Sequence, residues 1–546
     1  MSAAALVPVR HRGEPEVLVG TGRLVRLALR RDRVRLAVWV LALGGLTSYS
    51  VKALDTTYPT ATDRQARAEV IGNPAGVMLS GPGYGTSDYT LGAMVANEVA
   101  LTVLLATAIM SILQVVRHTR AEEEAGRAEL VRAGVVGRRG PLTAALVVTG
   151  LADAAIGLIV TAGLAGSGLA AADSVAVGLG IALTGLVFGA VAAVTAQLTE
   201  YARAASGMAM AVLGAAAVVR GVGDIVRVGG SPLSWFSPIA WAQQTRAFVE
   251  LRWWPLLLSV LLLAVLVAAA YRLVARRDVG AGLLPPRPGP ADASWLLSGP
   301  AGLAARLQRA SMLGWGVSLL LLGVVFGSLT KSVTDVLADN QRLADLVRPA
   351  GGASFEDSFV ARTALYLALT VAAFVVGSVL RVRAEESAGR AGLLLAGAVD
   401  RRRFLGGSLA VTAGAAVLLL VASGLGTGIA AAAVTGDAGQ VGRLLGATLV
   451  PLPAVLVVAA LAAALVGLVP RLAALAWVVV SWVLLLALFG PLLGLPGWVL
   501  KLSPFGWVPA VPAELVDAVP LLGLTLLAAA LGAAALAGFR RRDLVA

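Results

Sequence analysis

Residues 120–139, RAEEEAGRAELVRAGVVGRR, return as RAEESAGRAGLLLAGAVDRR at residues 383–402, identical at 14 of 20 positions. Both copies concentrate charge of both signs in a chain that is 58% hydrophobic and 14% charged. Two further pairs share their spacing. SPIAW at 237–241 recurs as SPFGW at 503–507, and ARRDVGA at 275–281 is echoed by RRRDLVA at 540–546. The offsets are 263, 266 and 265 residues. Three anchors in one order at nearly one spacing identify an internal duplication. The expected organisation is two halves, 1–282 and 295–546, joined by the Pro-rich stretch LLPPRPGPADAS at 283–294. Clustered prolines favour extended backbone and read as a linker.

Composition names the solvent. Soluble chains carry about 25% charged residues; this one, with mean hydropathy +0.85, belongs in a bilayer. Crossing roughly 30 Å of hydrocarbon takes about 20 apolar residues in a helix. Suitable runs lie near 35–53, 92–116, 141–165, 173–197, 206–224 and 255–275, then near 311–331, 361–380, 404–432, 441–467, 471–493 and 517–538. The expected fold is therefore an all-α polytopic membrane protein of about twelve spans in two tandem six-helix halves. An even number of spans gives both halves one orientation, related by an axis along the membrane normal.

Arginines cluster at 23–35, 271–278, 539–543 and around both copies of the repeated loop, always beside an apolar run. The positive-inside pattern places the loops, the linker and both termini on the cytoplasmic side of the plasma membrane. Residues 1–20 are polar and Pro-containing, without the apolar core of a signal peptide. The same placement explains the net charge of +13 without nucleic acid, since the basic residues sit at span ends and not on a soluble domain. No cysteine is present and only two histidines, His11 and His118, which excludes thiolate chemistry and His-rich metal centres. The absence of G-x-x-x-x-G-K-[ST] leaves no P-loop, so the chain is expected to bind no cofactor itself, and with no two-histidine metal motif, cysteine nucleophile or G-x-S-x-G it is not expected to be an enzyme. The Gly-rich patches GLVFG (185–189) and GLGTG (424–428) lie inside spans and read as helix-packing surfaces.

Within the repeated loop, Glu123 and Arg127 stand four apart, as do Glu386 and Arg390, the order that supports an exposed helix. Gly126 and Gly389 interrupt those helices at a cost of about 1 kcal/mol each, which predicts a kink or a close approach. Topology needs only arginines. Because the Glu-Glu and Gly-Arg pairs repeat as well, each half is expected to present one similar surface to one of two similar partners.

These residues resemble the loop between the second and third spans of fused, two-half ABC-2-type exporter permeases of actinomycetes, the polyketide-antibiotic and multidrug exporters. The resemblance extends over the whole chain and includes the SPxxW segment before the last span. It implies a coupling helix in each half, with Arg120, Glu122, Glu123, Gly126 and Arg127 in one and Arg383, Glu385, Glu386, Gly389 and Arg390 in the other. It also implies that two copies of a nucleotide-binding ATPase subunit, holding ATP and Mg, dock there. Segments 23–33 and 302–310 would be connecting helices lying along the membrane. The second copy departs at Ser387, in place of Glu124, and at Gly392, in place of Glu129.

Three polar residues in the first half, Asn97, Glu98 and Asp153, either line a substrate or proton path or serve structure. Pro238, Trp241, Pro504 and Trp507 either anchor span ends at the interface or roof the cavity as an outer gate. The turn-rich segment 73–90 is expected to cap the first half. With few fixed charges in the spans, the expected substrate is hydrophobic or amphipathic. The rival reading is a proton-coupled transporter of the major-facilitator type; the long loops at 117–140 and 53–92 count against it.

Overall fold

In hydrocarbon every backbone N–H and C=O must find a partner within its own segment, and long Ala, Leu and Val runs answer that demand as helices. The computed structural model describes residues 17–72, 74–227, 229–285, 289, 291–294, 297, 299–338, 354–489 and 496–543. Among these, every regular element is helical. The chain divides into two compact units, Met1–Gly289 and Pro290–Ala546. Of the segment 283–294, residues 286–288 and 290 lie outside the described ones.

Unit 1 begins with α1 (Thr21–Thr57), followed by two short helices, α2 (Ala61–Ile71) and α3 (Pro74–Leu79). The second span comprises α4 (Leu91–Met94), a π-helical turn (Val95–Val99) and α5 (Ala100–His118). The loop helices α6 (Arg120–Glu124) and α7 (Arg127–Arg132) lead to α8 (Gly140–Gly166), α9 (Ala171–Leu198) and α10 (Ala202–Val226). A short α11 (Pro238–Gln243) precedes the last span, α12 (Trp254–Val274). The most enclosed helix is α9, which packs against α5, α8, α10 and α12.

Unit 2 runs through α13 (Pro300–Ala338), α14 (Phe355–Ser387), α15 (Arg390–Leu395), α16 (Arg401–Thr435), α17 (Gly439–Leu449), α18 (Leu452–Leu468), α19 (Leu475–Phe489), α20 (Gly497–Leu500) and α21 (Ala518–Arg541). Its principal pairs are α13 on α16 and α18 on α21, with α14 enclosed among α16, α18 and α19. The Gly-rich patches do pack helices together. A side chain at Gly428 would strike the backbone of Val441 on α17, its Cβ 2.8 Å from that residue's Cα.

Two expectations change. Eleven helices are long and apolar enough to cross a membrane among the described residues, and the run at 471–493 is not one of them. It begins with a 3-10 turn at Pro470–Leu472, leaving α19 with 15 residues, about 22 Å at 1.5 Å per residue; residues 490–493 lie outside the described ones. Segments 23–33 and 302–310 form no separate helices. They run unbroken into the first span of each unit, in helices of 37 and 39 residues, because no proline or turn sequence intervenes.

Candidate functional site

The repeated loop has nearly the same construction in both units. Gly126 stands at φ +71° and Gly389 at φ +73°, left-handed conformations that a residue with a Cβ adopts only at a cost. The space beside each glycine is open for 4 Å, so the turn, not close packing, requires it. That turn overrules the expected four-residue pairing. Arg127 instead reaches back five residues to Glu122, with Nε–Oε2 2.8 Å and Nη2–Oε1 3.1 Å. Arg390 does the same to Glu385, at 2.6 and 2.9 Å. These carboxylates accept from the guanidinium groups and raise the pKa of Arg127 and Arg390 above the ordinary arginine value.

Glu123 and Glu386, expected on exposed helices, turn inward. Glu123 makes a two-pronged pair with Arg277, just beyond α12, at 2.7 and 2.8 Å. Glu386 makes the same pair with Arg542, the residue after α21, at 2.5 and 2.8 Å. Each glutamate also meets the arginine three residues before it, Arg120 at 3.0 Å and Arg383 at 3.2 Å. A parallel fork between guanidinium and carboxylate is the strongest arrangement the two groups make. A third tie repeats: Arg138 donates to the Arg277 carbonyl at 2.7 Å, and Arg401 to the Arg542 carbonyl at 2.6 Å. Arg277 and Arg542 were not among the expected site residues, although ARRDVGA and RRRDLVA are themselves a repeat anchor.

The units differ around this shared frame. Arg120 is fully buried and donates to the carbonyls of Ala196 (2.9 and 2.5 Å) and Ala281 (3.2 Å); Arg383 is a quarter exposed. Gln197 accepts from Arg277 Nε at 2.6 Å. In unit 2, Arg542 Nε has no partner among the described residues. Glu124 accepts from the Ala202 N–H at the start of α10, at 2.8 Å, whereas Ser387 only bonds back to the Arg383 carbonyl. Arg31 of α1 adds a 2.7 Å pair to Glu122. Between α1, the loop and α8 lies a shallow groove of about 90 Å³, walled by Leu24, Leu27 and Val131 and rimmed by Arg31 and Arg127.

Outward from each frame points one leucine. Leu130 on α7 and Leu393 on α15 are equivalent in the repeat and equally exposed, each at 79%.

The other expected residues lie elsewhere. Asn97 and Glu98 stand in the π turn. Asn97 donates to the carbonyls of Tyr84 and Ala93 and accepts from the Gly83 N–H, so it pins the 83–84 turn. Glu98 pairs with Arg67 of α2 at 2.9 Å and accepts from the Tyr89 hydroxyl at 3.2 Å. Asp153 is far into α8 and fully buried; Oδ1 accepts from Ser111 at 2.7 Å, while Oδ2 has no partner among the described residues. Pro238 and Pro504 each open a short helix. Each following tryptophan ties its indole N–H to the carbonyl six residues earlier, Trp241 to Trp235 at 2.7 Å and Trp507 to Lys501 at 2.8 Å.

A family model described as the multidrug efflux system permease Rv1217c, C-terminal domain, matches residues 297–540. The chain is also 44% identical, over 538 residues, to the multidrug efflux system permease protein Rv1217c of Mycobacterium tuberculosis (strain ATCC 25618 / H37Rv), covering 98% of this chain and 96% of that protein. Identity of that degree, spanning both units and both loops, makes the chain a member of the multidrug efflux system permease family, a multi-pass membrane protein that serves export.

Proposed function

We propose that this chain is the membrane subunit of an ATP-driven exporter, and that two copies of a separate ATPase, which hold ATP and Mg, dock on the two repeated loops. The observation that carries this reading is the pair Leu130 and Leu393. Each is an apolar side chain left exposed on a charged, tightly paired frame, at the same position of both repeats. Burying a leucine is worth about 1.5–3 kcal/mol, and two equivalent knobs suit two equivalent pockets. Closure of the ATPases on ATP would draw the loops together and rock the halves between inward- and outward-open states. The loops and both termini then face the cytoplasm. The substrate is a hydrophobic or amphipathic drug-like compound, in keeping with the relative's name and with spans that offer few charges. Asn97 and Glu98 hold the outer cap of the first half, and the indole ties of Trp241 and Trp507 with Pro238 and Pro504 shape the outer ends of the path.

Replacing each leucine in the full chain tests the reading. Leu130→Asp or Leu393→Asp is expected to weaken retention of the ATPase about thirtyfold, corresponding to about 2 kcal/mol for a hot-spot side chain. The double variant loses it and loses ATP-dependent export. Undiminished ATPase binding in the double variant overturns the docking assignment. A second reading, proton-coupled export, has one observation in its favour, the buried Asp153 with an unpartnered oxygen. Export by the purified chain driven by a pH gradient without ATP, and abolished by Asp153→Asn, would install it instead.

A further inference from the structure

We infer that Arg277 and Arg542 are positioning residues that carry the movement of each loop into the last span of its own half. The inference rests on the docking reading above and goes beyond it, since a loop between the second and third spans moves those two spans by covalent connection alone. The last span has no such connection. In unit 1 the loop and the end of α12 are 154 residues apart in sequence, yet Glu123 and Arg277 meet in a two-pronged pair. In unit 2 Glu386 and Arg542, 156 residues apart, do the same. Both pairs are largely enclosed, with side-chain exposures of 10% and 7% in the first and 2% and 13% in the second. Enclosed forks resist shear in a way that solvated pairs do not. The geometry is also doubled by a different bond, since Arg138 and Arg401 hold the backbone of the same two arginines. Two independent ties, each present in both halves, fasten one loop to one helix end. The stroke delivered at α6–α7 therefore reaches α12, and that at α14–α15 reaches α21.

The test uses the full chain with its ATPase, reconstituted in liposomes, and reads substrate exported per ATP hydrolysed. Arg277→Glu and Glu123→Arg each place like charges in the frame and are expected to lower that ratio by at least about tenfold, because each strands an enclosed charge without its partner. The exchanged pair, Glu123→Arg with Arg277→Glu, preserves the charges of the Arg120–Glu123–Arg277 cluster and is expected to restore most of the ratio. Arg277→Lys, which keeps the charge without the fork, should fall between. ATPase retention on the loop is expected to stay near the parent value in the Arg277→Glu and Arg277→Lys variants. A ratio unchanged in both single variants overturns the inference, as does a loss that the exchange does not restore. An ATPase that never binds the parent chain instead overturns the docking reading.

Discussion

The two loops share a plan and differ in how firmly they are anchored. In the first, Arg120 is buried against the carbonyls of Ala196 and Ala281, Gln197 completes Arg277, and Glu124 caps α10. In the second, the ion pairs Glu385–Arg390 and Glu386–Arg542 persist, but Arg542 Nε has no partner among the described residues and Ser387 stands where Glu124 stood. What both halves retain is the connection between loop and last helix; what differs is the packing of that connection into the rest of its unit. Duplication has thus kept the fork and the exposed leucine in each half, while the supporting hydrogen bonds belong to the first.

This contrast is sharpest at the first arginine of the motif. Arg120→Met removes both guanidinium bonds to the Ala196 carbonyl, leaves the Ala281 carbonyl to Arg277 and strips Glu123 of one partner. It is expected to destabilise the protein by about 3 kcal/mol. Arg383→Met, at a more exposed position, is expected to cost at most about 1 kcal/mol. Thermal unfolding of the detergent-solubilised variants checks the difference, and equal losses would remove the claim that the first loop is the more firmly held. The glycines supply the opposite kind of test, a predicted equality. Gly126→Ala and Gly389→Ala each force a Cβ into a left-handed residue with open space around it, for a backbone cost of about 1–2 kcal/mol. The two variants should lose stability alike. A much larger loss at Gly126 would show that the surrounding bonds, and not the turn alone, depend on it.

Much of this was legible in the residues themselves. Uninterrupted Ala, Leu and Val runs could only be helices in a bilayer, and among the described residues eleven helices are long enough to cross it. In the remaining run Pro470 and the 3-10 turn it begins delay the start of α19 to Leu475, and residues 490–493 lie outside the described ones. The loop was legible as a repeat but not as a geometry. Helical spacing pairs Glu123 with Arg127, and one left-handed glycine between them redirects Arg127 to Glu122 and frees Glu123 to face inward. Arg277 and Arg542 escaped notice because a partner 154 or 156 residues away leaves no periodic trace. The signal that could have found them was the repeat itself: ARRD and RRRD recur at nearly the loop's own offset, as two surfaces that fit each other would.

The measurement that bears most directly on the two-loop account is the composition of the complex purified from native membranes through a tag on this chain, weighed intact with ATPase activity measured alongside. The account predicts two ATPase subunits per chain and ATP turnover stimulated by hydrophobic substrates. A chain that leaves the membrane alone, and exports in response to a pH gradient without ATP, would contradict it.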